Sequence, residues 1–267
     1  MAEFTLPEEP LALGRTAEVF DYGDGRILKL LRPGLPDWLI DDEADKAAAV
    51  HQAGVAAPAF LEIVAVAGRH GAVYARVDGD LFLEKVVAEP LRLRHWARHL
   101  GDIHADMLER RSTALPSIKD VIIDKVTRTD LAAPDKTAII DHVASLPDAD
   151  NVLHGDLHPA NIMLTADGPV LIDWLDAAHG PPAADIARSL WLMSPATSPE
   201  GIPKSRVNRF FRRVFTRAYL SRVQQRTGVR DSDIDVWRLP VAAARIAENI
   251  DSEDALLRAE VRRLLVG

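Results

Sequence analysis

At 267 residues, 48% hydrophobic and 27% charged, the chain exceeds one typical domain and is too apolar for a disordered or collagen-like polymer. It has no Cys, which excludes disulfides, thiolate metal sites and cysteine nucleophiles. Lys and Arg number 32 against 40 Asp and Glu, and the net charge of −8 opposes binding of nucleic acid or an anionic membrane by the whole surface.

The start is acidic and broken by Pro7 and Pro10, unlike an export signal. No apolar run approaches the ~18 residues of a membrane span, so a soluble cytoplasmic protein is expected. Residues 11–32 read as two strands around an Asp-Gly turn at Asp24-Gly25. After Pro33, Gly34 and Pro36, Asp37 is placed to cap an amphipathic helix over 38–53, which Gly54 stops. Residues 60–67 and 72–77 form a second hairpin around Gly68-Arg69-His70-Gly71. Helical spacing takes over in 81–108 and 118–146, which puts a boundary near 78–80. Short strands return at 151–154, 162–164 and 170–173, and the chain is helical again from Pro182. The expected organisation is a first domain over 1–78, a small sheet with one helix, and a larger, mainly helical one over 79–267.

The chemistry concentrates in His154-Gly155-Asp156-Leu157-His158-Pro159-Ala160-Asn161, followed by Ile172-Asp173-Trp174. The glycine permits a sharp turn that aims Asp156 outward from a loop between apolar strands. A returning strand can bring Asn161 beside Asp173, and that pair of oxygen donors suits Mg²⁺, a hard cation that shares its shell with phosphates and water. Asp156 is then free to act on a substrate hydroxyl. With no Cys and no close His pair read from the sequence, no transition-metal site is expected.

The pattern His-Gly-Asp-x-x-x-x-Asn with a following Ile-Asp-Trp resembles the catalytic and metal loops of the aminoglycoside phosphotransferase and choline kinase family. The resemblance covers roughly residues 11–190. It implies an α+β, two-lobed protein-kinase-like fold, ATP and Mg²⁺ as cofactors, a small-molecule hydroxyl acceptor, Asp156 as the catalytic residue, and Asn161 and Asp173 as metal ligands. Gly155 in place of arginine, and the missing Asp-Phe-Gly and Ala-Pro-Glu signatures, favour small-molecule kinases over protein kinases. On the same resemblance, Gly14, Ala17 and Val19 belong to the phosphate-covering loop. Lys29, embedded in an apolar strand, contacts the α/β-phosphates and pairs with Glu43, although Asp41, Asp42 and Asp45 crowd that helix. Tyr74 and Arg76 belong to the hinge that reads the nucleotide base. Asp185 and His154 brace the catalytic loop, His104 is a packed histidine, and Asp176 is a candidate second metal ligand. The alternative is a kinase-shaped nucleotide-binding module without catalysis.

The acceptor pocket falls to the C-terminal helices, where Arg245 and Glu248 lie one turn apart and read as an ion pair or, at Glu248, an amine site. Residues 201–230 carry nine basic side chains and no acid. Over the acceptor mouth such a helix would disfavour polycations; as an outer face it would pack against acidic surface, with Phe215 and Tyr219 in its buried stripe.

Overall fold

The computed structural model describes residues 5–194 and 205–266. Its first part is an antiparallel sheet of β1 (Ala12–Leu13), β2 (Ala17–Gly23), β3 (Arg26–Leu31), β4 (Phe60–Val66) and β5 (Arg69–Ala75), in the order β1-β2-β3-β5-β4. Helix α1 (Trp38–Gln52) packs on one face. The two-residue period of β3 sends Leu28 and Leu30 into a small cluster with Phe20 and Val73, while Leu31 joins Ile40, Ala47, Ala72 and Tyr74 under α1. Lys29 shares the α1 side, which turns a strand lysine toward a helix rather than toward water. Asp37 makes no side-chain cap: its backbone is already helical, and its carboxylate takes His70 Nδ1 at 2.7 Å.

The continuous helical spacing expected over 81–108 is broken. After β6 (Asp80–Leu81) comes α2 (Phe82–Ala88), then a 3₁₀ turn entered at Pro90, which has no N–H to continue the helix, and α3 (Leu93–Leu108). The segment 118–146 likewise divides into α4 (Ile118–Arg128) and α5 (Ala133–Ser145), with Pro134 in the first turn of the second helix. Strands β7 (Asn151–Leu153), β8 (Ile162–Thr165), β9 (Gly168–Leu171) and β10 (Ala178–Gly180) make two small sheets, β10-β7 and β6-β8-β9. The loop 154–161 is stretched between them, anchored at both ends by strands.

The remaining elements are α6 (Pro182–Leu192), α7 (Arg206–Thr227), α8 (Asp231–Ile246) and α9 (Asp251–Val266). They bury a large core that includes Leu100, Leu153, Leu157, Ile162, Trp174 and Trp237, and that Ala49, Val50 and Val55 at the end of α1 also enter. Helices α3 and α7 approach closely at Gly101, where a Cβ would lie 2.9 Å from the Arg222 Cβ and 3.1 Å from the Tyr219 carbonyl. The basic segment serves this packing. Arg222 and Arg226 each reach Asp102 at 2.8 Å, and Arg212 donates to the carbonyls of Leu192 and Ser194. Lys204 lies outside the described residues. Among the described residues, no helix is long and apolar enough to cross a membrane.

Candidate functional site

The loop after β7 is held by one buried carboxylate. Asp185, on α6, accepts the His154 N–H at 2.9 Å and the Gly155 N–H at 2.8 Å, and contacts His104 Nε2 at 3.1 Å. Burial alone would push its carboxyl up; His104 and these donors outweigh burial and hold it below the usual carboxylate range. The His104 Nδ1 meets the Tyr219 hydroxyl at 2.6 Å, so a chain of buried groups runs from α7 to the loop. His154 Nδ1 accepts the Asp156 N–H, which leaves Nε2 to donate to the Ile172 carbonyl. That neutral tautomer agrees with a pKa lowered by burial.

Gly155 has φ +77°, and a Cβ there would fall 2.1 Å from the Asp176 carbonyl oxygen. Only glycine fits, which accounts physically for the His-Gly-Asp sequence. The turn directs Asp156 so that its carboxylate accepts from the Asn161 amide at 3.2 Å and faces His158 at 3.7 Å and Arg188 at 3.8 Å. Burial would raise the Asp156 pKa, but His158 and Arg188 override it and keep the group ionised far below its ordinary value.

Across from the loop, Lys29 Nζ bonds Glu43 Oε1 at 2.7 Å and Asp173 Oδ1 at 2.9 Å. Among the crowded acids of α1, Glu43 is the buried one; Asp42 is taken by Lys46. The Tyr74 hydroxyl also donates to Glu43, at 3.2 Å. Burial works against the Lys29 charge, yet the two carboxylates raise its pKa above that of a free lysine. Asp173 stands at φ +69°, a left-handed conformation that costs a non-glycine residue free energy and is retained where the surroundings fix it. The Asn161 carbonyl accepts the Ile172 N–H at 3.0 Å, which sets Asn161 beside Asp173.

The loop Gly14–Thr16 joins β1 to β2, closed by Gly14 N–H to the Ala17 carbonyl at 2.8 Å, and Val19 pairs with Lys29 on the neighbouring strand. Tyr74 points to Glu43. Arg76 is pinned to Asp21 and Asp78, both at 3.0 Å. The Ala75 and Arg76 N–H groups donate to the Ala59 and Gly25 carbonyls, so neither amide is open to a nucleotide base.

On the far side of Asp156, Arg188 donates through Nε to the Gly155 carbonyl at 2.9 Å and through Nη2 to Glu248 at 2.8 Å. Glu248 also takes Arg245 at 2.7 Å and Lys125 at 3.3 Å, and Lys125 holds Asp176 at 2.8 Å. The Arg245–Glu248 pair expected one turn apart is therefore present but buried, as one edge of a larger network. Asp176 is committed to Lys125.

The family model for the phosphotransferase enzyme family matches residues 8–231. The chain belongs to that family. Its fold is the two-lobed, protein-kinase-like one of small-molecule phosphotransferases. A thermostable mutant of aminoglycoside phosphotransferase APH(4)-Ia superposes with TM-score 0.64 at 14% identity, over 96% of this chain and 92% of that one. Amicoumacin kinase hAmiN, in complex with AMP-PNP, Ca²⁺ and Ami, gives 0.62 at 16%, over 96% and 87%. A choline/ethanolamine kinase family protein from Mesorhizobium loti gives 0.54 at 18%, over 99% and 87%. No match was found among curated proteins.

Two residues of this phosphotransferase were not singled out from its sequence. Arg188 sits in the run Ala183-Ala184-Asp185-Ile186-Ala187-Arg188, and a charge on so apolar a helix must have a buried partner. Lys125 carries no such signal, since one lysine on an amphipathic helix looks like any surface lysine. Against the expectation of no close His pair, His95 and His99 stack one turn apart on α3. Among the described residues, no three His, Asp or Glu gather to hold a metal.

Proposed function

We propose that this phosphotransferase is an ATP-dependent kinase that moves the γ-phosphoryl group to a hydroxyl of a small molecule. The observation that carries the reading is Lys29, which joins Glu43 on α1 to Asp173 beyond β9. A strand cation held between an N-terminal glutamate and the Ile-Asp-Trp aspartate is what placing a polyphosphate across two halves of a molecule requires. The neighbours solved with AMP-PNP or hygromycin B support the same chemistry.

The donor set fits Mg²⁺. The Asn161 amide nitrogen is spent on Asp156, at 2.9 Å to its carbonyl, which leaves the side-chain oxygen open, and Asp173 keeps Oδ2 beyond its bond to Lys29. Asn161 and Asp173 would hold the ion, which supplies charge neutralisation on the β- and γ-phosphates when bound.

Lys29 neutralises the α/β side of the nucleotide, while the Gly14–Thr16 loop covers it, with Ala17 and Val19 below. The Ala75 and Arg76 amides are bonded to Ala59 and Gly25, so neither reads the base edge. Asp156 accepts the acceptor hydroxyl hydrogen bond, aligns the oxygen, and receives its proton as the new oxygen–phosphorus bond forms and the bond from the γ-phosphorus to the β,γ-bridging oxygen breaks, with ADP leaving. Its low basicity suits a loose transition state, in which orientation contributes more than early deprotonation. ADP release measured with Mg·ATP and Mg·GTP over amino sugars, aminoglycosides, choline, homoserine and nucleosides tests this reading. Release that depends on both acceptor and Mg²⁺ is expected; failure to bind Mg·ATP would overturn it.

A further inference from the structure

The loop Gly14–Thr16 sends a side chain across the cleft. Arg15 Nη1 donates to the Glu248 carbonyl at 3.3 Å, 233 residues away in the chain. The loop belongs to the sheet that carries Lys29, since β1 pairs with β2 and β2 with β3. Glu248 belongs to the other side: its carboxylate takes Arg188 at 2.8 Å, and Arg188 faces Asp156 at 3.8 Å. The Arg15 bond therefore spans the gap between the nucleotide side and Asp156, which a phosphoryl group in transfer has to occupy.

Arg15 differs from the cations around it in what balances its charge. Lys29 is bonded to Glu43 and Asp173, Lys125 to Asp176, and Arg188 and Arg245 to Glu248. Arg15 meets no carboxylate among the described residues, and its hydrogen bond ends on a neutral carbonyl. Such a bond is readily exchanged for one to a phosphoryl oxygen, because charge-assisted hydrogen bonds are shorter and stronger. The side chain is exposed at the tip of a loop, so it can swing without disturbing a core.

The reaction has a use for this free charge. The transferred group spreads negative charge over three oxygens, and Lys29 is spent on the α/β side. His158, in the loop beside Asp156, accepts the Ala160 N–H on Nδ1, the arrangement of a neutral imidazole, and so offers a dipole rather than a charge.

We propose, resting on the kinase reading above, that Arg15 is a further catalytic residue, whose guanidinium leaves the Glu248 carbonyl for the oxygens of the γ-phosphoryl group and neutralises them during transfer. Its planar fork can hold two of the three oxygens at once. Arg15 donates hydrogen bonds throughout and gives up no proton. The new oxygen–phosphorus bond forms, the bond from the γ-phosphorus to the β,γ-bridging oxygen breaks, the hydroxyl proton passes to Asp156, and ADP leaves.

The test titrates Mg·ADP and Mg·AMP-PNP calorimetrically into the parent, Arg15→Gln and Arg15→Lys, and measures ADP release from Mg·ATP with the acceptors named above and with water. Arg15→Gln should leave Mg·ADP affinity within about twofold of the parent, weaken Mg·AMP-PNP roughly tenfold, and lower kcat roughly 10²–10³-fold with a smaller change in the KM for ATP. Arg15→Lys should recover part of kcat, since it keeps the charge without the fork. A kcat in Arg15→Gln within about threefold of the parent overturns the inference, because the arginine is then a bystander. So does Mg·ADP weakened as much as Mg·AMP-PNP, because Arg15 then clamps the nucleotide rather than the γ-phosphoryl group. Where the parent releases no measurable ADP, the ratio of the two affinities decides, and an unchanged ratio in Arg15→Gln overturns the inference. A parent that binds neither nucleotide overturns the kinase reading itself.

Discussion

Two ion networks flank the loop 154–161, and they differ in charge and exposure. The Lys29–Glu43–Asp173 triad has one cation between two acids, and the Asp173 side chain is 48% exposed. It is a site with spare negative charge at its mouth, suited to a divalent cation and the phosphates that come with it. The Lys125–Asp176–Glu248–Arg188 network pairs two cations with two acids, and Arg188 and Glu248 are only 10% and 7% exposed. Its charge is balanced and its groups are largely bonded to one another. Asp156 lies between them, bonded to Asn161 on one side and facing Arg188 on the other. The lesson is that one carboxylate takes its orientation from Asn161 and its ionisation from His158 within the loop, with Arg188 next.

The separation can be broken first at the shared residue. Asp156→Asn should lower acceptor-dependent transfer by about 10²–10⁴-fold, because orientation and proton acceptance go together, while the folded protein persists. Transfer at the parent rate would remove Asp156 from the reaction. Lys29→Met tests the nucleotide side alone. It removes the charge shared by Glu43 and Asp173, and kcat/KM for ATP should fall roughly 10–100-fold. Unchanged kcat/KM would mean the triad is structural only. Arg188→Lys sharpens the other side, since lysine keeps the charge but lacks the fork that reaches both the Gly155 carbonyl and Glu248. A roughly tenfold fall in kcat, at the low end for groups that orient a reacting residue, is expected, together with an upward shift of the acidic limb of the pH–rate profile. A flat acidic limb in the variant would deny Arg188 its hold on Asp156.

The smallest effect is on stability. Burial keeps the folded His154 pKa below its ordinary 6.5, so the unfolded chain takes up a proton that the folded chain refuses. Stability from this group is complete above pH 6.5 and is lost as pH falls from there toward the folded value. Denaturant unfolding between pH 7 and 5 should show the loss, and His154→Gln should flatten it. An equal slope in the variant would place the effect elsewhere.

The Lys29–Glu43–Asp173 triad was legible in the sequence because its residues occupy unusual places. A lysine among Ile27, Leu28, Leu30 and Leu31 breaks an apolar strand, and Gly155 and Asp173 belong to short patterns with fixed spacing. The fold followed for the same reason, since hairpin turns and helical periods are local signals. The helix breaks at Pro90 and Pro134 were readable but outweighed by the surrounding period. The second network was not legible, because Lys125, Asp176, Arg188 and Glu248 come from separate segments whose meeting is set by packing α4, α6 and α8. Likewise nothing local told that Arg222 and Arg226 would turn toward Asp102 rather than toward a pocket. The hinge residues illustrate a third case: the second hairpin turns at Ala67-Gly68, so β5 runs Arg69–Ala75 rather than 72–77, and register, a long-range property, decides which amides remain free.

The most direct measurement is calorimetric titration of Mg·ATP into the parent protein, Asp173→Ala and Asp156→Asn. The account predicts Mg²⁺-dependent binding to the parent, retained in Asp156→Asn and weakened at least about tenfold in Asp173→Ala, which loses a metal-ligand oxygen. Equal affinity for Asp173→Ala and the parent, or a loss in Asp156→Asn as large as that in Asp173→Ala, would contradict the assignment of the nucleotide to the Lys29–Asp173 side and of the acceptor to Asp156.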